Sequence, residues 1–168
     1  MLKIRLVSLC LGIATLQLIV PALLAQAPAA PVPQQILAAK KVFISNARGD
    51  WNSYHWSGSP ERTYNEFYAA TKNWGRYEIV PAPGDADLVL QISLAEPVQV
   101  NGGALVFGSP VLKLALLDPK TGILIWALDE HLPLDGSQKN RDQKFSEGIN
   151  NLVGYVKALY AQPAAGSK

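Results

Sequence analysis

The 168-residue chain contains one cysteine, two histidines and one methionine. The single cysteine, Cys10, lies in an apolar stretch near the amino terminus. The rest of the chain therefore holds no disulfide and no thiol nucleophile. His55 and His131 stand alone, without the cysteine or carboxylate spacing that holds zinc, so no metal and no cofactor is expected. The glycines at Gly102, Gly103 and Gly108 are not followed by a lysine and a helix start, which excludes a phosphate-binding loop. Ser53, His55 and Asp50 could be written as a nucleophilic triad, but no strained-turn serine signature supports them. Asp129 and Glu130 are neighbours on a strand, point to opposite faces and form no acid–base pair. No catalytic residue is assigned. Net charge is also lacking: there are 15 basic and 13 acidic side chains, and two of the basic ones, Lys3 and Arg5, lie in the amino-terminal segment. Without them the signs balance, so nothing points to nucleic acid or acidic lipid.

What is present begins with a secretory pattern. Lys3 and Arg5 precede an apolar run from Leu6 to Leu24, and small residues follow at Ala22, Ala25 and Ala27. A membrane anchor is the competing reading, since the run is near the lower length for a span. Pro21 and the small residues favour cleavage, after Ala25 or Ala27. Leu9 stands before Cys10 where a lipoprotein signal requires a small residue. The expectation is a signal peptide at 1–27, a Pro/Ala-rich linker at 28–39, one α/β domain at 40–160 and a tail at 161–168. The chain would be periplasmic or secreted, with no stable membrane span after cleavage. Free of cysteine in an oxidising compartment, it must be held by an apolar core, for which about 120 residues suffice.

Val111 to His131, VLKLALLDPKTGILIWALDEH, is the strongest structural signal. Asp118-Pro119-Lys120-Thr121-Gly122 reads as a hairpin turn, with Pro119 presetting φ and Gly122 supplying a positive φ at the exit. A four-residue loop places Leu117 opposite Leu124, Leu116 opposite Ile125 and Leu114 opposite Ala127. Leu112, Leu114, Leu116, Ile123 and Ile125 then share one face; Ala115, Leu117, Leu124, Trp126 and Leu128 share the other. Two apolar faces predict a pair in the middle of a sheet.

Around this hairpin the pattern predicts a strand at Lys41–Ser45 and a helix from Pro60 to Trp74, capped by Ser59 and ended by Gly75. A short strand at Tyr77–Val80 and a longer one at Asp87–Leu94 follow. A β-arm, or an irregular loop, turns at Asn101-Gly102. The last helix is capped by Asn140, with Gln143 reaching back, and carries Phe145, Ile149, Leu152, Val153, Val156 and Leu159 on one stripe. Two amphipathic helices need one sheet face. The fold class is α+β, a two-layer α/β sandwich, with a mixed sheet of about 4–5 strands and two helices packed on one face.

The segments KKVFIS, GDADLVLQISL and LALLDPKTGILIWAL resemble those of small uncharacterised exported bacterial proteins. In shape the pattern resembles the TolB amino-terminal domain and LpoB-type envelope domains. The resemblance spans about Lys40 to Leu159 and consists of strand and turn patterns, so it implies a fold and an envelope interaction role, and no site residue.

One constellation suggests binding. Trp51, Tyr54, His55 and Trp56 crowd the loop between Asn46 and Pro60, the composition of a sugar or peptide platform; the competing reading is that Trp51 and Trp56 pin the long loop onto the first helix. Trp126 is expected either at the centre of a partly open sheet face used for a partner or a homodimer, or in the core. The expected function is non-enzymatic binding in the envelope, to a protein partner or cell-wall glycan. The alternative is a wall sugar or peptide hydrolase using carboxylates near residues 50–56.

Overall fold

The structure, a computed structural model, describes residues 30–161. The expected signal at 1–27 and nearly all of the 161–168 tail lie outside the described residues. The elements are α1 (Gln34–Ala38), β1 (Lys41–Gly49), α2 (Arg62–Trp74), β2 (Glu78–Ile79), β3 (Leu88–Ala95), β4 (Val98–Asn101), β5 (Ala104–Phe107), β6 (Val111–Leu117), β7 (Leu124–His131) and α3 (Gln138–Ala161). A five-stranded sheet runs in the order β2-β1-β3-β6-β7, and β4 and β5 form a separate ribbon. β1 is parallel to β2 and β3, while β3, β6 and β7 are antiparallel in turn. The mixed sheet of an α+β fold follows directly from the sequence pattern: parallel strands need a crossover, which α2 supplies, and the others are joined by hairpins.

The core is where the alternation of β3 and β6 placed it. Leu88, Leu90, Ile92 and Leu94 of β3 and Leu112, Leu114 and Leu116 of β6 are all buried. α2 packs over β1 and β3, α3 over β6 and β7, and the two helices lie against each other on that face. Every predicted stripe residue of α3 is buried. Gly148 is buried with them, and a Cβ there would lie 2.6 Å from Leu132 Cδ2 and 3.2 Å from Leu112 Cδ1, so the glycine sets how closely α3 approaches the sheet. Gly75 ends α2 in the left-handed conformation, as expected. α1 puts Ile36 wholly inside the core, so the packed body begins ahead of Lys40.

The hairpin departs from its expected register. Leu117 does face Leu124, but Leu116 faces Trp126, Ala115 faces Ala127 and Leu114 faces Leu128. Ile125 is an extra residue, a bulge, and every later residue of β7 is shifted by one, which reverses its facing. Ile125, Trp126 and Leu128 are half-buried against the core, so Trp126 faces the helices and is not on the open face. The pair is also not central. β6 is interior, but β7 is an edge strand. Its double-sided apolarity came from the bulge, which lets consecutive residues reach the core.

Smaller corrections share one cause: local hydrogen bonding shifts caps and turns by one to three residues. α2 begins at Arg62, whose N–H donates to the Ser59 carbonyl; the Ser59 side chain is not a cap and Pro60 precedes the helix. The Asn140 N–H donates to Ser137 Oγ, and Gln143 bonds Glu147 instead of reaching back. The arm turns on Gly102-Gly103, both with positive φ, since Asn101 pairs with Ala104.

Candidate functional site

The site is built at the end of the sheet where β1 and β3 finish. β1 runs four residues past Ser45. Near its end Arg48 takes a positive φ, its N–H donating to Asn46 Oδ1, and Gly49 follows at φ 127°. A Cβ on Gly49 would overlap the Leu94 carbonyl, so only glycine fits there. The next N–H, of Asp50, donates to that same carbonyl at 2.8 Å, and Asp50 Oδ2 accepts the Glu96 N–H at 3.1 Å. The loop from Asp50 to Pro60 is thus anchored to the end of β3 before its aromatic residues begin.

Those aromatic residues separate into a buried set and an exposed one. Trp56 is 1% exposed. Trp51 and Trp56 stand 6.0 Å apart and enclose Phe145 of α3 at 5.9 and 5.4 Å. Both rings pack on Phe145 of α3, and Arg62 of α2 donates to the Ser57 carbonyl at 3.0 Å, so the loop is held to both helices. His55 meets Trp56 edge-on at 5.3 Å. Tyr54 is 87% exposed and points outward. Arg141 of α3 donates to the carbonyls of Tyr54 and His55, and the Ser57 N–H and hydroxyl both donate to Asp142.

Asp142 also accepts from Arg62, whose Nε pairs with Glu66 at 2.6 Å and whose guanidinium lies 4.7 Å above the Phe145 ring. Burial pushes the Asp142 carboxyl up, but the Ser57 and Arg62 hydrogen bonds outweigh it and hold the group below the usual aspartate range. Desolvation pulls the Arg62 guanidinium down, but its bonds to Glu66 and Asp142 outweigh it and hold the group above its ordinary value. This network was missed in the sequence because its links from Ser57 and Arg62 to Asp142 and Ser146 span 80 or more residues. A second such cluster, Trp74, Tyr77 and Tyr160 with Arg76 at 3.7 Å over Tyr160, closes the opposite end of the helix layer. There burial and the Tyr160 hydrogen bond push the Tyr77 hydroxyl well above the ordinary tyrosine range.

Of the carboxylates near the loop, Asp50 is engaged by the backbone, while Glu96 Oε1 and His55 Nδ1 are buried without a hydrogen-bond partner among the described residues. Glu96, with its side chain 8% exposed, stands 3.3 Å from His55 Nδ1, at ion-pair distance but off the line of a hydrogen bond, and accepts weakly from Asn52. Trp56 Nε1 is a buried donor without a partner among the described residues. No group of three or more His, Cys, Asp or Glu suited to a metal occurs among the described residues. A cleft of about 590 Å³ lies at the opposite end of the sheet, between α1, Asp87 and the Asp118 turn. Its two carboxylates are occupied: Asp87 accepts the Lys40 and Lys41 N–H groups, and Asp118 accepts from Lys120 and Thr121.

Two surfaces are left without a covering layer by the described residues. The first is the ribbon of β4 and β5, which extends the β3–β6 hairpin beyond Pro97 and Pro110. At its base the Gly108 N–H donates to the Pro97 carbonyl at 2.7 Å, continuing the Val98–Phe107 pairing across the two strands. Among the described residues its strands pack substantially only on each other, and Val98, Val100 and Val106 are exposed. The second is the sheet face away from the helices, where Ala115 and Ala127 sit opposite each other and leave a hollow of about 260 Å³.

No helix among the described residues is long and apolar enough to cross a membrane. No protein-family model and no curated protein matches the sequence. Among solved structures, the chain is similar to a protein from Helicobacter pylori described as a homolog of a neuraminyllactose-binding hemagglutinin (TM-score 0.46, 13% identity, 73% of this chain and 86% of that one). It is similar to a lipoprotein from Neisseria meningitidis (TM-score 0.37, 13% identity, 68% and 99%). It is also similar to the PelC dodecamer from Paraburkholderia phytofirmans (TM-score 0.41, 14% identity, 76% and 93%). At such scores and identities these are distant likenesses, and the functional reading rests on the geometry of this chain.

Proposed function

We propose that this chain is a non-enzymatic interaction module of the bacterial envelope, periplasmic or secreted, that engages a protein partner through the β4–β5 arm. The observation that carries this reading is the arm itself. From Pro97 to Pro110 it has no charged residue, and it holds Val100 72% exposed. A two-stranded ribbon is marginal in water unless something covers it. Natural edge strands are normally blunted by charge, so a neutral β-branched edge is suited to pairing.

A glycan partner fits less well. Trp56 is buried and Trp51 half-buried, both packed on Phe145, which leaves Tyr54 as the most exposed ring of the loop. Envelope location is supported by the Lys3/Arg5 and Leu6–Leu24 pattern, and the TolB-like and LpoB-like strand and turn patterns agree with an interaction role.

The test is expression of the full chain in a Gram-negative cell, followed by fractionation and terminal mass measurement. The expected product is a chain beginning between Gln26 and Pro28 in the periplasm or medium, inert toward purified wall sacculi. It should be retained on isolated envelopes only while Val98 and Val100 remain apolar. An intact Met1 product in the cytosol, or release of wall fragments from sacculi, overturns the reading.

A further inference from the structure

The chain carries both halves of a contact that it cannot make with itself. The hollow on the open sheet face is floored by Ala115 and Ala127, a directly opposed cross-strand pair of small side chains. Gln91, Ser93 and Leu124 line its sides, and Lys113 and Asp129 flank it as an ion pair at 3.6 Å. That pair neutralises itself, so the hollow offers no free charge to an acidic or a basic ligand. It calls for neutral, compact, apolar side chains. The arm supplies them: Val98 and Val100 alternate on one face of a ribbon without charge. Two β layers pack face to face by such interdigitation.

Within one chain the two surfaces do not meet. The arm leaves the sheet beyond Ala95 and Val111, whereas Ala115 lies four residues further along β6 in the opposite direction.

We propose that the occupant of the hollow is the arm of a second copy of this chain, which deepens, and rests on, the interaction-module reading above. Arm and hollow are different patches, so the contact is head-to-tail: each copy offers an arm to one neighbour and a hollow to another. Such contacts close into rings or run on as filaments, whereas a two-fold dimer would need a self-complementary patch.

Two variants test this. Val98→Asp together with Val100→Asp charges the arm and leaves the hollow intact. Ala127→Lys fills the hollow and leaves the arm intact. All three positions are exposed, so each variant should keep the far-ultraviolet circular dichroism and melting temperature of the parent, which is measured first. Sedimentation of the purified full chain across the micromolar range should show species larger than a monomer. Each variant alone should be monomeric. Mixed, the two should form a one-to-one heterodimer and nothing larger, because one intact arm meets one intact hollow and the series ends there. A parent chain that stays monomeric, an Ala127→Lys variant that assembles like the parent, or a mixture that stays monomeric each overturns the proposal. If the parent is monomeric yet Val98 and Val100 still govern retention on envelopes, only the copy-to-copy contact is lost. If retention is insensitive to them as well, the interaction-module reading fails with it.

Discussion

The β3–β6 hairpin and the β4–β5 ribbon beyond it are two halves of one excursion of the chain, paired as separate antiparallel ladders and with opposite fates. Below Ala95 and Val111 the leucines of its inner face lie under the helices with essentially no exposure. Above Pro97 and Pro110 its valines stand in solvent. Side-chain chemistry hardly differs between the halves. What differs is a covering layer: α2 and α3 end where the sheet ends, and the prolines, which cannot donate to a ladder, mark the border. Apolar surface that the fold does not bury is available for association, so the two halves should respond oppositely to mutation.

The largest effects belong to the covered half and the loop pinned to it. Trp56→Ala removes the ring that packs on Phe145 and should cost about 3–5 kcal/mol in urea unfolding, with loss of near-ultraviolet ellipticity. Leu116→Ala, facing Trp126 under the helix layer, should cost about 2–5 kcal/mol; a loss below about 0.5 kcal/mol, the range of a surface change, would place Leu116 outside the core. Gly148→Ala should cost about 1–3 kcal/mol, because the added methyl meets Leu132 and Leu112 on a packed interface. Gly154→Ala, with nothing within 4 Å of the new methyl, should instead stabilise α3 by about 1 kcal/mol.

Acid sharpens the comparison through Asp142. Its carboxyl is held low in the folded state by Ser57 and Arg62. The stability it contributes is therefore fully present above the ordinary aspartate value, about 3.9, and is lost as pH falls through the depressed folded value. Asp142→Asn should flatten the acid limb of stability against pH below about 4 and leave the neutral-pH contacts of the arm unchanged. The smallest effect is expected in the uncovered half. Val100→Thr should change unfolding stability by less than about 0.5 kcal/mol. A larger loss would show that the arm is part of the folding core and erase the distinction between the halves.

Much of this architecture was legible in the residues. The alternation of Leu88, Leu90, Ile92 and Leu94, the 3.6-residue stripe of α3, and Gly75 and Gly122 at positive φ all report a preference of a residue for its immediate backbone or its own face. The site was legible only as a list. Trp51, Tyr54, His55 and Trp56 were visible as an aromatic cluster, but which rings face inward depends on Phe145, Arg141 and Asp142, some 85 residues away in the chain. Sequence spacing carries no record of such a meeting.

The chain's own sequence thus determined the strand and helix periods, the turn positions to within a residue or two, and the presence of one α+β sheet with helices on one face, because each is encoded locally in side-chain period and glycine or proline placement. Only the tertiary structure decided the facing of Trp126, where one bulged residue at Ile125 reverses the parity of a strand. It also decided the burial of Trp56 and the exposure of Val98 and Val100. Whether an apolar side chain is core or surface depends on what covers it, and coverage is a property of the whole fold.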